Sequence, residues 1–549
     1  MSRGSRYALV PARQLSLNHE EDNATSTCIS RCKPIFRFRR LTNKGAILIV
    51  IWNFLLASVP YYLRAYVPRG FRISLIAWLF ITPFAGWLTD VRFGRYKVIR
   101  WSIWIMWIGS MLATVNSIVA SVLENNYPII KITTIVTGFA MAIGFGGYQA
   151  NGIQFGLDQL QDASTNEITA FIRWYYWTYF SSRVMTEISH ACMKKEYLLL
   201  GHLVVCVCTS IVITSTFTCH NVLIKEPVIQ NPLKLIYNVI RYAIKNKRPR
   251  QRSAFTYCED ELPSRIDFGK SKYGGPFTTE QVEDVKTFLR LIVIIMIASV
   301  LLGEILTFNY KFNSHLSRAL LHAQPLIPFS KECYRVTFLT NILEYTAIAA
   351  YIPIHEFILH PALHKYLPSI KIYQNFVLGM LLQIAKAFTL MAIDITARSK
   401  YIEQYNKNIT CLLYANEHND GLSSISLNGY LIIVSRLLQS VSLTVLCING
   451  VEFLLSQIPY SMRGLMIGVV YGTTLIFTMT AYGIYWPFTQ HFAWGTNIIS
   501  CEFWYLVSVL LILLIFSGLL FVVGRWYKNR KREDVLPNEH IFAERYYAQ

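Results

Sequence analysis

The sequence predicts an all-α membrane protein with about twelve transmembrane helices in two six-helix bundles, and three observations support this. Hydrophobic residues make up 53% of the 549 residues, and only 15% are charged, well below the quarter that is usual in soluble proteins. About twelve apolar runs have the roughly 20 residues that a helix needs to cross a ~30 Å hydrocarbon core. A long polar connection divides these runs six and six. Since lipid offers the backbone no hydrogen bonds, each run is expected to be a helix.

The apolar runs, called spans 1 to 12 below, are centred near residues 55, 81, 110, 140, 177, 209, 297, 346, 384, 443, 474 and 513. Two six-helix halves joined by a linker are typical of the major facilitator fold. The predicted organisation is a cytoplasmic N-terminal tail (1–44), an N-terminal six-helix bundle (45–224), a cytoplasmic linker (225–285), a C-terminal six-helix bundle (286–525) and a cytoplasmic C-terminal tail (526–549).

The net charge of +20 fixes the predicted orientation. Lys and Arg residues concentrate in the N-terminal tail, the 2–3 loop, the linker and the C-terminal tail, and the positive-inside rule places all four in the cytoplasm. This distribution favours membrane lipid rather than nucleic acid as the partner of the basic residues. The sequon at Asn408 then lies in an outer loop, where Asn408 would be glycosylated. The sequence suggests the plasma membrane by default and leaves endomembranes open.

Enzymatic function is not expected. The sequence has no cluster of metal ligands, no phosphate-binding loop and no nucleophile motif above chance. We therefore predict no catalytic residue, no metal site and no cofactor.

In the loop after span 2, glycines, an acid and basic residues are spaced in a way that indicates a mechanical role. Gly86, Asp90, Gly94, Arg95 and Lys97 resemble the glycine, acid, glycine and paired basic residues of the facilitator loop. Gly94 permits a tight turn, and Gly86 permits close helix approach. Asp90 can pair with a base or cap a neighbouring helix, so the five residues are predicted to form a cytoplasmic latch between the bundles. The alternative is an ordinary basic loop that only fixes topology.

Further motifs indicate a family. The end of span 4, from Gly146 to Gln159, has glycines, an asparagine and a phenylalanine-glycine-x-aspartate-glutamine sequence. Three other segments go with it: the aromatic segment 171–179, the segment 273–286 at the entry into span 7, and the segment 450–464 at the junction of spans 10 and 11. Together the four segments resemble the proton-dependent oligopeptide transporter family. The resemblance runs from about residue 45 to residue 525. It implies a secondary active transporter of short peptides or peptide-like solutes that works by alternating access.

The chain departs from this family where proton coupling is expected. Ile51, Phe54 and Leu55 occupy the positions of the family's acidic cluster in span 1, and Gln149 replaces its span-4 lysine. Apolar and amide side chains cannot change charge over the working pH range. Three functions therefore stay open: a proton-coupled peptide carrier, a proton-independent facilitator for another small solute, and a non-transporting membrane receptor or scaffold.

Candidate site residues follow from chemistry inside the spans. Buried charges are costly in lipid, which makes Glu304 and then Glu452 the candidates for proton coupling. Gln149, Asn151, Tyr175, Tyr176 and Tyr179 are candidates to line a substrate cavity, although tyrosine also occurs in interfacial belts. Other ionisable residues in the spans are either pathway residues or members of interhelical pairs: Arg173, Arg183, Glu344, Lys386 and Arg436.

The linker segment from Asn231 to Arg241 is apolar on one face and basic on the other. This pattern predicts an amphipathic helix that lies on the inner leaflet.

Overall fold

In the computed structural model the twelve predicted spans are helices. The structure describes residues 43–59, 71–122, 128–160, 163, 165–192, 198–225, 231–246, 264–321, 336–359, 372–405, 412–413, 431–490, 499–500 and 502–527. In span order, the helices are Lys44–Leu56, Phe71–Leu88, Arg95–Val122, Pro128–Asp158, Thr165–Cys192, Leu198–Thr218, Thr279–Leu321, Val336–Ile354, Ile372–Tyr405, Leu431–Gln457, Arg463–Gln490 and Glu502–Trp526. A further helix, Pro232–Lys245, lies in the linker and is called the linker helix.

Hydropathy alone supports only part of this set. Among the described residues, four stretches are long and apolar enough to cross a membrane by length and composition: Arg95–Ala120, Leu199–Thr218, Ile433–Gln457 and Leu506–Trp526. Span 5, by contrast, contains Glu167, Arg173, Arg183 and Glu187. A helix of that composition needs protein neighbours to satisfy its polar groups, as expected for a helix that lines the middle of a bundle.

The described core consists of two large clusters of buried apolar residues. One is built mainly from spans 1 and 3 to 6, with Trp52, Tyr148, Phe155 and Phe171 among its largest buried side chains. The other is built from spans 7 and 9 to 12 together with the linker helix. The first cluster also takes in a few residues of spans 8, 10 and 11, so the two six-helix bundles pack against each other.

Local sequence explains several helix ends and joints. The Asn43 side chain caps span 1 by accepting hydrogen bonds from the backbone nitrogens of Gly45 and Ala46, at 2.8 and 3.2 Å. Span 1 is then tied to its bundle by polar contacts. The indole nitrogen of Trp52 donates to Ser215, at 2.7 Å, and the Asn53 amide donates to the Tyr175 carbonyl, also at 2.7 Å.

Among the described residues, the main contacts between the bundles join span 2 with span 11, span 5 with span 8, span 5 with span 10, and span 4 with span 11. On the predicted outer side, two short strands pair antiparallel: β1 (Leu412–Leu413) and β2 (Ile499–Ser500). They belong to the 9–10 and 11–12 loops, which the predicted topology places on the same side.

The linker helix begins at Pro232, with Asn231 as its cap. Part of its apolar surface is covered by protein, and its predicted place on the inner leaflet stays a prediction. Leu235, Ile236 and Val239 belong to the core cluster that contains Val282 and Val285 of span 7. The hydrophobic period of the segment was sufficient to predict the stripe, but the start of span 7 supplies the apolar surface that covers it.

A network of charged groups holds residues 264–270, in the part of the linker that the structure describes just before span 7, against the start of that span. Asp267 accepts two hydrogen bonds from the Lys286 ammonium, at 2.8 and 3.0 Å, and lies 2.6 Å from that of Lys270. Burial alone would raise the pKa of Asp267, but the hydrogen bonds from Lys270, Lys286 and Ser264 outweigh it and hold this pKa well below its usual range.

The predicted boundaries of the bundles and the linker stay predictions. Residues 1–42 and 528–549, which make up nearly all of the two predicted tails, lie outside the described residues.

Candidate functional site

Asp90 lies in a short π-helical turn, Thr89–Phe93, directly after span 2. Its carboxylate accepts a hydrogen bond of 2.8 Å from the backbone nitrogen of Leu465. A Cβ atom added to Gly464 would lie 2.5 Å from the same carboxylate. Because span 11 begins at Arg463, the carboxylate caps the first turn of a helix from the other bundle, where the helix dipole favours a negative charge.

Arg95 supports this arrangement from the start of span 3. Its guanidinium forms an ion pair with Asp158 at the end of span 4 and lies 3.9 Å from the Asp90 carboxylate. Burial raises the pKa of Asp90 to about 6, although the Arg95 charge lowers it.

Gly94, with a φ of 76°, provides the backbone turn that joins spans 2 and 3. Lys97 is exposed.

Spans 2 and 11 touch through backbone at this point. A Cβ atom on Gly86 would lie 2.3 Å from the carbonyl oxygen of Gly464, too close for any side chain. One turn further along span 11, Gly468 packs against backbone atoms of Pro83 of span 2, and one turn beyond that, Gly472 packs against the Pro83 ring. Small residues four apart allow such close helix approach.

The cavity candidates divide into two groups. The Gln149 amide donates a hydrogen bond of 3.0 Å to the Tyr471 hydroxyl of span 11, which connects the bundles near the middle of span 4. Tyr176 and Tyr179 are half-buried, as expected for side chains that border an internal space. Asn151 and Tyr175 are buried within helix packing, and Asn151 donates to the Gly147 carbonyl of its own helix.

The two proton-coupling candidates lie in different parts of the structure. Glu452 of span 10 accepts a hydrogen bond of 3.0 Å from the Thr169 hydroxyl of span 5 and so bridges the bundles. Glu304 lies within the span-7 helix, but its side chain is outside the described part of the structure, as is all of Asn408.

Most of the other ionisable residues in the spans have polar partners. Arg436 pairs with Glu344, at 2.6 Å, between spans 10 and 8. Lys386 donates to Gln439 between spans 9 and 10. Arg173 of span 5 pairs with Glu356, just beyond span 8, and lines a small crevice there with Trp174 and Trp177.

Arg183 of span 5 lies beside the tyrosines. Its guanidinium donates a hydrogen bond of 3.0 Å to the Tyr179 hydroxyl, one turn back along the same helix, and packs over the Tyr179 ring.

Several contact residues were missed from the sequence. Glu356, Thr169 and Tyr471 lie in no motif identified from the sequence. Gln154 lies within the span-4 motif but was not singled out, and it donates to the backbone carbonyl of Arg463 at 3.1 Å. The contacts of Asp90, Gln154, Thr169 and Arg173 all join the bundles near the predicted cytoplasmic ends of the spans. The structure is therefore closed on that side along these contacts. Among the described residues, no group of three or more His, Cys, Asp or Glu side chains is placed to hold a metal ion.

Comparison with known proteins agrees with this architecture. Human solute carrier family 15 member 5 is 27% identical over 229 residues, which cover 39% of this chain and only 38% of that protein. Among solved structures, an auto-inhibited POT family peptide transporter superposes with a TM-score of 0.60 at 15% identity, covering 89% of this chain and 99% of its own. A POT family transporter in complex with 5-aminolevulinic acid has a TM-score of 0.52 at 10% identity, covering 87% and 96%.

These structural similarities confirm the predicted fold, an all-α major facilitator fold with two six-helix bundles. Family and fold indicate a transporter rather than an enzyme, held in a membrane as an integral protein. The model of the POT family matches residues 96–498, which is most of the chain. The chain therefore belongs to the POT family.

Proposed function

We propose that this protein is a secondary active carrier of short peptides or peptide-like solutes that works by alternating access. The observation that carries the proposal is the hydrogen bond between Asp90 and Leu465. It is one of several polar contacts between the bundles, and it lies at the end of a helix, where water can replace it when the bundles separate. A permanent interface would instead be expected to bury continuous apolar surface here. The contact therefore suits a surface that closes and opens repeatedly.

The substrate class follows from the family and from the half-buried side chains between the bundles. Gln149, Tyr176, Tyr179 and Tyr471 offer amide, hydroxyl and aromatic groups, which suit the peptide bonds and side chains of a short peptide. Related POT structures support this class, since one is of a peptide transporter and another contains 5-aminolevulinic acid, a small amino acid.

Proton coupling is the finer part of the proposal. Glu304 and Glu452 are the proposed proton-binding groups. Glu452 is supported by its bond to Thr169, because protonation would take away much of the acceptor strength of a contact between the bundles. Coupled in this way, proton binding at Glu452 would favour separation of spans 5 and 10.

One observation favours a second candidate, a facilitator that works without protons. Glu344 and Glu356 are both held in ion pairs with arginines, and span 1 offers no acid at Ile51, Phe54 or Leu55. Taking either acid out of its pair would strand a buried arginine, so neither is suited to bind and release a substrate-coupled proton in each transport cycle. A non-transporting receptor or scaffold remains the third alternative.

Uptake of a labelled dipeptide into vesicles that contain the purified protein tests all three functions. A proton-coupled carrier accumulates the dipeptide above the outside concentration only when the pH gradient is directed inward. A proton-independent facilitator that accepts dipeptides equilibrates the dipeptide at the same rate with or without the gradient. A receptor or scaffold gives no more uptake than empty vesicles, either of the dipeptide or of any other small solute offered in its place. We propose the plasma membrane as the location, which imaging of the tagged full-length chain would test against endomembrane markers.

A further inference from the structure

The linker helix, Pro232–Lys245, presents a second surface besides the one that packs on span 7. Six of its side chains are exposed, and they are of two kinds. Leu233, Tyr237 and Ile244 are apolar, with 42%, 60% and 72% of their surfaces exposed. The other three are basic: Lys234, Arg241 and Lys245.

The two kinds of side chain occupy separate stripes. At about 100° per residue, the three apolar side chains fall within about 40° of one another around the helix axis, and so do the three basic ones. The two stripes lie side by side, centred about 80° apart, and together they face away from the packed face formed by Leu235, Ile236 and Val239. The helix thus has three sectors: protein-packed, exposed apolar and exposed basic.

The charged side chains on the exposed surface of the linker helix are all basic. The helix has no acidic residue, so none of its own carboxylates neutralises the basic stripe. Arg241 also lies over the Tyr237 ring, with its guanidinium carbon 6.0 Å from the ring centre, which holds the two stripes side by side. An apolar stripe beside a basic stripe suits the boundary between acyl chains and anionic headgroups.

The position of the helix agrees with this partner. Its packed face rests on the start of span 7, and the Tyr242 ring meets Phe277 edge to face, 6.0 Å between centres. The start of span 7 is predicted to be the cytoplasmic end, so the linker helix lies at the level where span 7 enters the inner leaflet. The Asp267 carboxylate, a few residues before span 7, is also bound to Lys286 of that span.

We propose that the exposed face of the linker helix is a binding surface for anionic phospholipid headgroups of the inner leaflet. The basic stripe contacts the headgroups, and the apolar stripe inserts at the acyl boundary. Because the opposite face is packed on span 7, lipid bound here holds the cytoplasmic end of span 7 at a fixed depth.

Hydrogen exchange of the backbone amides of the linker helix tests the proposal on the full-length protein, without any assay of transport. The protein is placed in nanodiscs made either of phosphatidylcholine alone or of phosphatidylcholine in which one third of the lipid is replaced by phosphatidylserine. We expect exchange of residues 232–245 to be several-fold slower with phosphatidylserine, since each cation near an anionic surface is worth about a fivefold gain in binding. Raising the salt concentration to 1 M should cancel the difference.

Two variants with equal loss of charge make the test specific. Replacing the three basic side chains of the linker helix by glutamine keeps the helix, because glutamine is a good helix former, and should remove the effect of phosphatidylserine. The same replacement at Lys528, Arg530 and Lys531 of the C-terminal tail should leave the effect intact. Equal exchange in both nanodiscs for the unaltered protein, or equal loss in both variants, would overturn the proposal.

Discussion

The Asp90 carboxylate of span 2 accepts a hydrogen bond of 2.8 Å from the backbone nitrogen of Leu465, so one bundle caps a helix of the other. We expect Asp90→Asn to slow exchange between inward- and outward-open states by about tenfold, because the neutral amide can still cap the helix and no longer carries the cost of burying a charge, so that the closed state becomes harder to leave. Arg95→Ala should act in the same direction, because it leaves Asp158 without its cation. Transport rate per inserted molecule is the measurement. Arg92→Ala, an exposed base in the same turn, is the matched control. Unchanged transport in both variants would mean that the loop only fixes topology.

The same contact should respond to pH. Burial raises the pKa of Asp90 to about 6 in the closed arrangement, whereas a carboxyl facing water has a pKa of about 3.9. The closed state therefore binds more protons between these values, and it gains stability relative to the open state as the pH falls through about 6. The gain is roughly tenfold in population at pH 5 and is absent above about pH 7. Spin-label distances between spans 2 and 11, measured at pH 7.5 and pH 5, should show the shift. Asp90→Asn should abolish it, and a shift that survives in that variant would assign it to another group.

Close contact between spans 2 and 11 depends on Gly86. Gly86→Ala would place a methyl group 2.3 Å from the Gly464 carbonyl oxygen, so the helices must separate and the closed state should lose population. Gly483→Ala is the control on span 11, since its added methyl group meets nothing within 4 Å. Labelling of a cysteine introduced on the cytoplasmic side should rise several-fold in the first variant only. Equal labelling in both variants would contradict a seam made by Gly86.

Proton coupling is predicted to depend on Glu304. Span 7 lines the central cavity in this fold, and Glu304→Gln imitates the protonated carboxyl at nearly constant shape. The variant should abolish uptake driven by a pH gradient while sparing exchange of substrate across the membrane. If uptake by the unaltered protein depends on pH and Glu304→Gln changes nothing, Glu452→Gln is the next variant to test. If the unaltered protein shows no pH dependence, the facilitator is the better description.

The buried ion pair between Arg436 and Glu344 should matter for stability more than for transport. Arg436→Met leaves the Glu344 carboxylate buried without its cation, which costs about 3–5 kcal/mol. The double variant Arg436→Met with Glu344→Leu removes both charges and should recover most of the loss. Thermal unfolding in detergent measures both. A double variant as unstable as the single one would show that the pair itself, rather than the stranded charge, carries the stability.

The fold was predictable because apolar length, positive charge and one polar linker are properties of the sequence alone. The contact partners of individual side chains were harder to predict from the sequence. The spacing of the latch motif identified Asp90 as a residue able to cap a neighbouring helix, but Leu465 lies 375 residues away. Glu344 and Arg436 were each singled out as buried charges, yet their pairing depends on how spans 8 and 10 pack. Glu356 escaped notice because it follows the apolar run of span 8 and so resembles an ordinary residue at a helix end.

The linker helix shows the same limit. Hydrophobic period predicted an apolar stripe, but a stripe does not specify whether lipid or protein covers it. Here Leu235 and Val239 face span 7, and the surface left for lipid is the adjacent one.

The meeting of Gly86 and Gly464 has a consequence for timing. Where side chains close a seam, a rotamer change within picoseconds to nanoseconds can open it briefly to water or ions. Here backbone meets backbone, so no rotamer is available to move aside. The seam opens only when whole helices shift, on the microsecond-to-millisecond scale of collective motion. Along this seam, ion leakage is thereby limited to the moments when the carrier itself turns over.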